Sequence, residues 1–525
     1  MGEIGAAEKV PLYMLISCNY ILIVAGFFIP LSYWLTVRYM LPTQGVIRFS
    51  EYSALYDIIV KKNNKWRRLN DMTDYSFVYD ELKDKYCQDN GRMAEDPVRM
   101  FKYLMIKSIL GVSDADLVEH CMTDMALKFF LGLVPEDNVI DSSTLTKFRR
   151  HRLKEVSLLD KLICKSVEIA RSKGIDISRK IIVDSTHTLS RSNPAVPAGA
   201  LQKQARILRK AVYEADSSQK GKLPEKYEGK DLEKTMDYMC GLLSYLKEQK
   251  ISFYPVISEK MNLLSEMMDD ITDHYTVSTD PDARIGHKTV DSEFFGYKGH
   301  LAVTPERIVV AATMTSGEKG DGPELPELIR KAKENIPDLE EVIGDGAYSS
   351  QGNLEVAEKE DVEIIAKLHP IVAGEVRKED KFSFNKDAGM MVCPAGHMAV
   401  KKTHSKVTAK NKNERFHYYF DILKCRKCKH ANLCGYKKGQ NSKTYTVTMR
   451  SELQEKQLAR QNTDEFKEKY GLRYIIEAKN SELKHSYHLD KAISYGLDAY
   501  TLQGAVALFT SNLVRINRIL DEKAK

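Results

Sequence analysis

Ile181-Ile182-Val183-Asp184-Ser185-Thr186 is the stretch from which the rest of the chain can be read. Three consecutive β-branched apolar residues are the pattern of a strand buried on both faces. A carboxylate follows at once. On a buried strand that charge is costly unless it is paired or bound to a metal, the alternative being a turn at the strand end. Working outward, residues 297–303 and 307–314 form two further strand-like runs, joined by a short turn around Pro305 and Glu306. Residues 324–334 read as a helix, Val342-Ile343 as a short strand ending near Asp345, and residues 362–366 as a fifth strand. Between the first and second strands, Leu232, Met236, Met239, Leu242 and Leu243 recur at helical spacing. Residues 200–275 are therefore expected to be a helical insertion, with these side chains as its core.

The bulk properties bound the answer. A chain of 525 residues is expected to hold about two to four domains. With 43% hydrophobic residues it can bury cores, which excludes a disordered chain. The net charge of +6 is mild but unevenly spread: residues 401–443 hold 13 Lys and Arg against Glu414 and Asp421, a local +11. So concentrated a patch suits a phosphate backbone; a solvated lysine-rich loop is the alternative. Of nine cysteines, Cys18, Cys87, Cys121, Cys164 and Cys240 are scattered, while Cys393, Cys425, Cys428 and Cys434 cluster. This is not a disulfide framework, and it points to a reducing, cytoplasmic setting. The clustered four, with a close pair inside a basic segment, read as one structural zinc site; His397, His417 and His430 are substitutes of lower rank.

The N-terminus is discordant. Residues 10–37 run without a charge, long enough to span a membrane. Glu3, Glu8 and a single Lys9 make a poor signal peptide. The preferred reading is that translation starts at Met40 and that residues 1–39 are a doubtful leader; a membrane anchor and a buried helix are the others.

Residues 94–155 read as helices. Asp96 is an N-cap with Pro97 at the first helical position, Gly111 a C-cap, Ser113 the cap of a second helix, and Asp141 the start of a third. Lys147, Arg149, Arg150 and Arg152 crowd that third helix, so the segment suits either a helix-turn-helix or an ordinary bundle. Asp345 lies in Gly344-Asp345-Gly346-Ala347-Tyr348, where glycine on both sides permits a tight bend. Tyr470, Arg473, Glu477 and Lys484 are spaced to share one face of a helix. Such a face can present a metal-binding carboxylate between cationic phosphate contacts, or merely a solvated Arg-Glu pair.

The strand order, with the insertion removed, is that of a ribonuclease H-like domain. The chain resembles the DDE transposases of bacterial insertion sequences, in the group with the Tyr-x2-Arg-x3-Glu-x6-Lys motif. That motif is matched without a gap by Tyr470, Arg473, Glu477 and Lys484. The resemblance also covers Asp96-Pro97, Phe130-Leu131-Gly132-Leu133, residues 143–149, Val183-Asp184-Ser185-Thr186, residues 280–284, Gly296-Tyr297-Lys298-Gly299-His300 and Asn512-Leu513-Val514-Arg515. It departs at Gly346-Ala347-Tyr348, where many relatives place Lys or Arg and then Gly before the Tyr.

The resemblance implies an α/β fold: a ribonuclease H-like core with a helical N-terminal domain, a helical insertion and a small zinc-ribbon-like insertion. The expected boundaries are 40–160 for a helical DNA-binding domain and 176–375 for the first part of the core, with 200–275 inserted. Residues 380–445 are then the Cys-rich basic insertion and 446–525 the C-terminal helices carrying the catalytic Glu. It implies catalysis by Asp184, Asp345 and Glu477 holding two Mg²⁺ ions, Asp184 bridging both. Tyr470, Arg473 and Lys484 would contact DNA. The activity implied is cleavage at element ends and joining to target DNA, by a homodimer, with no small-molecule substrate and no membrane. The competing reading is a non-catalytic DNA-binding regulator derived from a transposase.

Overall fold

The computed structural model describes residues 21–24, 27–30, 50–86, 94–153, 156–192, 197–229, 231–272, 280–289, 292–373, 381–408, 413–430, 434, 436 and 440–524. Most of the apolar leader, Met40 included, lies outside them. Within the leader, β1 (Ile21–Val24) pairs antiparallel with β2 (Phe27–Pro30). Among the described residues no helix is long and apolar enough to cross a membrane.

The centre of the molecule is a six-stranded mixed sheet: β3 (Lys180–Leu189), β4 (Arg284–Thr289), β5 (Ser292–Val303), β6 (Val309–Ser316), β7 (Glu341–Ile343) and β8 (Glu363–Ile365). β3 lies in the middle, antiparallel to β5 and parallel to β7, which is parallel to β8. β5 is long enough to pair with β4 over its first half and β6 over its second. The spatial order is β6-β5-β3-β7-β8, and these five strands fall on the five strand-like runs read from sequence. β4 was not foreseen: Arg284-Ile285-Gly286-His287-Lys288-Thr289 lacks the apolar alternation that marks a strand. Ile181, Ile182 and Val183 have no solvent exposure. Each such side chain contributes about 1.5–3 kcal/mol on burial, which fixes β3 in the interior.

One continuous apolar core joins this sheet to the N-terminal helices and to the last helix, Leu497–Ala524. The last helix packs on Leu158–Ser172, Pro97–Leu110 and β6. The expected caps form: the Asp96 side chain accepts from Val98 N, Gly111 takes φ 67°, Ser113 accepts from Asp116 N and Asp141 from Ser143 N. The insertion is helical as expected, with Pro197–Ala215, Leu232–Lys247 and Pro255–Thr272 packed around their own core. Met239, Leu242 and Leu243 lie in that core, and Met236 packs against it.

The cysteine-bearing segment is a third small unit. It consists of a hairpin of β9 (Ser383–Asn385) and β10 (Met390–Val392) and a three-stranded antiparallel sheet of β11 (Lys401–Ser405), β12 (Arg415–Phe420) and β13 (Lys443–Thr448). The apolar face of the sheet packs Tyr418 and Phe420 with Met391 and Ala399.

Candidate active site

Two carboxylates are brought together by the parallel pair at the middle of the sheet. Ile182 of β3 stands opposite Ile343 of β7, and Asp184 and Asp345 each follow two residues later. Asp345 lies just past the end of β7, near enough for its charge to act on Asp184. Asp184 is largely buried. Burial is the main cause that raises its carboxyl to about 6; the charge of Asp345 adds to the rise, while the Ser185 backbone and Arg473 oppose it. Asp345 begins a single turn of 3-10 helix, Gly346–Tyr348, and accepts a bond from Ala347 N at 2.9 Å. The flanking glycine serves close packing rather than a bend: a Cβ on Gly344 would lie 2.7 Å from the Tyr348 ring and 3.0 Å from Val183.

The segment expected as one helix is two. Tyr470 ends on Asp464–Gly471, and Glu477 begins a second helix, Tyr474–Ser486, with Leu472 and Arg473 in the turn between them. Arg473 nevertheless gathers the group. Its Nη1 donates to Tyr470 Oη at 3.3 Å, and its guanidinium stands 3.9 Å from Glu477 Oε1. The Glu477 side chain is 63% exposed. Lys484 reaches back to β3, with Nζ 3.3 Å from His187 Nδ1.

Sequence reasoning missed Asn480, one turn beyond Glu477. Its Nδ2 donates to Asp184 Oδ2 at 3.0 Å, and its Oδ1 is buried without a partner. It thereby ties the Glu477 helix to the carboxylate on β3. The signal available was helical spacing, since a step of three from Glu477 stays on one face. Also missed was Asp321, held by Lys298 at 3.0 Å; it too raises Asp184. His300 stands 3.7 Å from Asp321, and burial lowers its imidazole below the usual range. Lys298 and His300 belong to a stretch already singled out, whereas Asp321 sits in Gly320-Asp321-Gly322, which reads as a plain turn.

Among the described residues no three His, Cys, Asp or Glu side chains stand in metal-holding geometry. The donor set does suit a hard divalent cation. Asp184 and Asp345 offer only oxygen, and their mutual repulsion, felt in the raised Asp184, is what a bound cation relieves. Glu477, turned toward Arg473, is not brought into that pair.

All four clustered cysteines are free and line one small cavity with His397 and His430. Cys393 opens a tight turn in which Gly396 N donates to Cys393 O at 2.8 Å, and His430 N donates to Cys428 Sγ at 3.3 Å. Burial raises the Cys425 thiol, and the nearby thiols of Cys434, Cys393 and Cys428 add to this. The four thiols thus share one cavity and are soft donors of the kind zinc takes, but they do not stand in metal-holding geometry.

The sheet therefore holds two partly buried carboxylates near one another, with Arg473 and Lys484 on the facing helix and the turn before it. Residues 270–513 match the family model of the transposase DDE domain, and residues 54–151 match that of a transposase domain (DUF772). Together the two matches support a DDE-type insertion-sequence transposase. No curated protein matches the chain.

Proposed function

We propose that this transposase binds the ends of an insertion sequence, cleaves phosphodiester bonds there and joins the freed ends to target DNA. The observation that supports this best is the Asp184–Asp345 pair, in which the largely buried Asp184 feels the charge of Asp345 and is linked through Asn480 to the helix of Glu477. Asp184 and Asp345 would hold divalent cations, with Glu477 completing the set. Two Mg²⁺ ions, when bound, supply an activated water or 3′ hydroxyl and stabilise the leaving oxygen. The chain's own residues position the DNA: Arg473 offers two donors to a phosphate, Lys484 a flexible point charge, and Tyr470 a ring beside the strand. Cys393, Cys425, Cys428 and Cys434 would hold one structural zinc in the Cys-rich segment. The working form is a homodimer holding two ends, in the cytoplasm.

The test uses the full chain and duplexes carrying the DNA that flanks its gene. Asp184→Asn, Asp345→Asn and Glu477→Gln are each expected to abolish Mg²⁺-dependent cleavage while leaving end binding intact. A variant that still cleaves near the wild-type rate would remove its residue from the site.

A further inference from the structure

We infer that the outer face of the β11–β13 sheet is a docking surface for the phosphate backbone of duplex DNA, an inference that rests on the DNA-acting reading above. The sheet has two unlike faces, fixed by its register: Lys401 opposes Tyr419, and Arg415 and His417 oppose Thr448 and Thr446. On the inner face Phe416, Tyr418 and Tyr445 join the small apolar core. The outer face carries Lys401, Arg415, His417 and Tyr419, with threonine at every second position of β13 and no acidic residue.

This face is built rather than merely solvated. His417 bridges all three strands, with Nδ1 2.9 Å from Thr446 Oγ1 and Nε2 3.1 Å from Ser405 Oγ. The Lys401 ammonium stands 5.8 Å from the centre of the Tyr419 ring. Arg415 Nε is buried without a hydrogen-bond partner, and among the described residues neither Lys401 nor Arg415 has an acidic partner. The adjacent acid, Glu414, is engaged by His404 at 3.1 Å. An ordinary lysine-rich surface intersperses acids with its cations, as Arg330 with Glu327 and Glu334 does elsewhere on this chain. Cations, hydroxyls and a tyrosine without acids are the groups that contact phosphates and sugars. Positions 401 to 405 span about 13 Å along a strand. At about 3.4 Å per phosphate, that covers roughly four phosphates of one DNA strand.

The experiment measures binding of the full chain to a random-sequence 40-base-pair duplex across 50–200 mM salt. For the double variant Lys401→Ala/Arg415→Ala, the slope of log affinity against log salt should fall by about 2. Wild type would then lose about tenfold more affinity than the variant over that range. The equal-charge control Lys424→Ala/Lys427→Ala, on exposed residues away from the face, should change the slope by less than half as much. A thermal melt verifies folding, and exposed Lys401→Ala alone, expected to lower the slope by about 1, replaces the double variant if that unfolds. An unchanged slope in the face variant, or an equal fall in the control, overturns the face assignment while leaving the DNA-acting reading in place. Absence of salt-dependent binding by wild type overturns both.

Discussion

At the scale of single residues, the site depends on charges placed where burial changes their behaviour. Arg473 bridges Tyr470 and Glu477, and Lys484 leans on His187. If they position DNA, Arg473→Ala and Lys484→Ala should each lower cleavage by about 100-fold, since a displacement near 1 Å has that effect. Melting temperature should shift little, because a solvated helix pair contributes only about 0.2–0.5 kcal/mol. Near-normal cleavage in both would leave these residues structural. Lys102 is the corresponding case in the N-terminal helices. It bonds Asn70 at 2.8 Å beneath the rings of Tyr75 and Phe130, and burial lowers its ammonium to about 8. The unfolded chain holds that proton up to about 10.4, so between the two values it binds more protons than the folded chain. Stability from this group is therefore absent below about 8 and gained as pH rises past it. Compared with Lys102→Met, wild type should gain roughly 2–3 kcal/mol between pH 7.5 and 10.5 in denaturant titrations. A pH-independent difference would show that the lysine titrates normally.

At the scale of elements, the helical insertion and the cysteine-bearing segment each carry a core apart from the main one. Leu242 is fully buried in the insertion. Leu242→Ala should lose about 2–5 kcal/mol locally and speed amide exchange in residues 197–272, leaving β3 and β5 protected. Equal loosening of the sheet would mean that the insertion and the sheet unfold as one. For the cysteine-bearing segment, chelator-washed protein should retain one zinc by metal analysis, and Cys425→Ser/Cys428→Ser should lose it. A folded wild type without zinc would defeat that assignment. The elements readable from sequence were those with strong local signals: caps at Asp96, Ser113 and Asp141, the apolar runs of β3 and β7, and the helical spacing of Leu232 to Leu243. β4 escaped because its side chains do not alternate; the break at Leu472-Arg473 was signalled by Gly471, which the one-helix reading passed over. Asp321 escaped for another reason: its role depends on contacts across the fold, which local pattern does not encode, whereas Asn480 had only its helical step from Glu477 to mark it.

At the scale of the whole molecule, the last helix, Leu497–Ala524, ties the parts together. Asn512, fully buried on it, accepts from Val309 N at 2.9 Å and donates to Val309 O and Ser166 Oγ, each at 2.8 Å. One amide thus joins β6, the helix Leu158–Ser172 and the last helix, which gives a structural reason for the Asn512-Leu513-Val514-Arg515 stretch. Asn512→Ala would strand buried backbone groups and should lower stability by about 1–3 kcal/mol per group left unpaired. An unchanged melting temperature would show that water replaces the amide. Asp280 and Asp282 work similarly at the other end of that helix, accepting from Gly496 N at 3.1 Å and Leu497 N at 2.8 Å. The bond from Asn480 to Asp184 crosses 296 positions of sequence, which has a meaning for synthesis on the ribosome. At about 5–20 residues per second, the helix of Glu477 emerges some 15 to 60 seconds after β3. Throughout that interval the nascent chain holds Asp184 without the Asn480 amide that bonds it. If Glu477 completes the site as proposed, a prematurely terminated product that stops short of its helix would leave the DNA around it uncut.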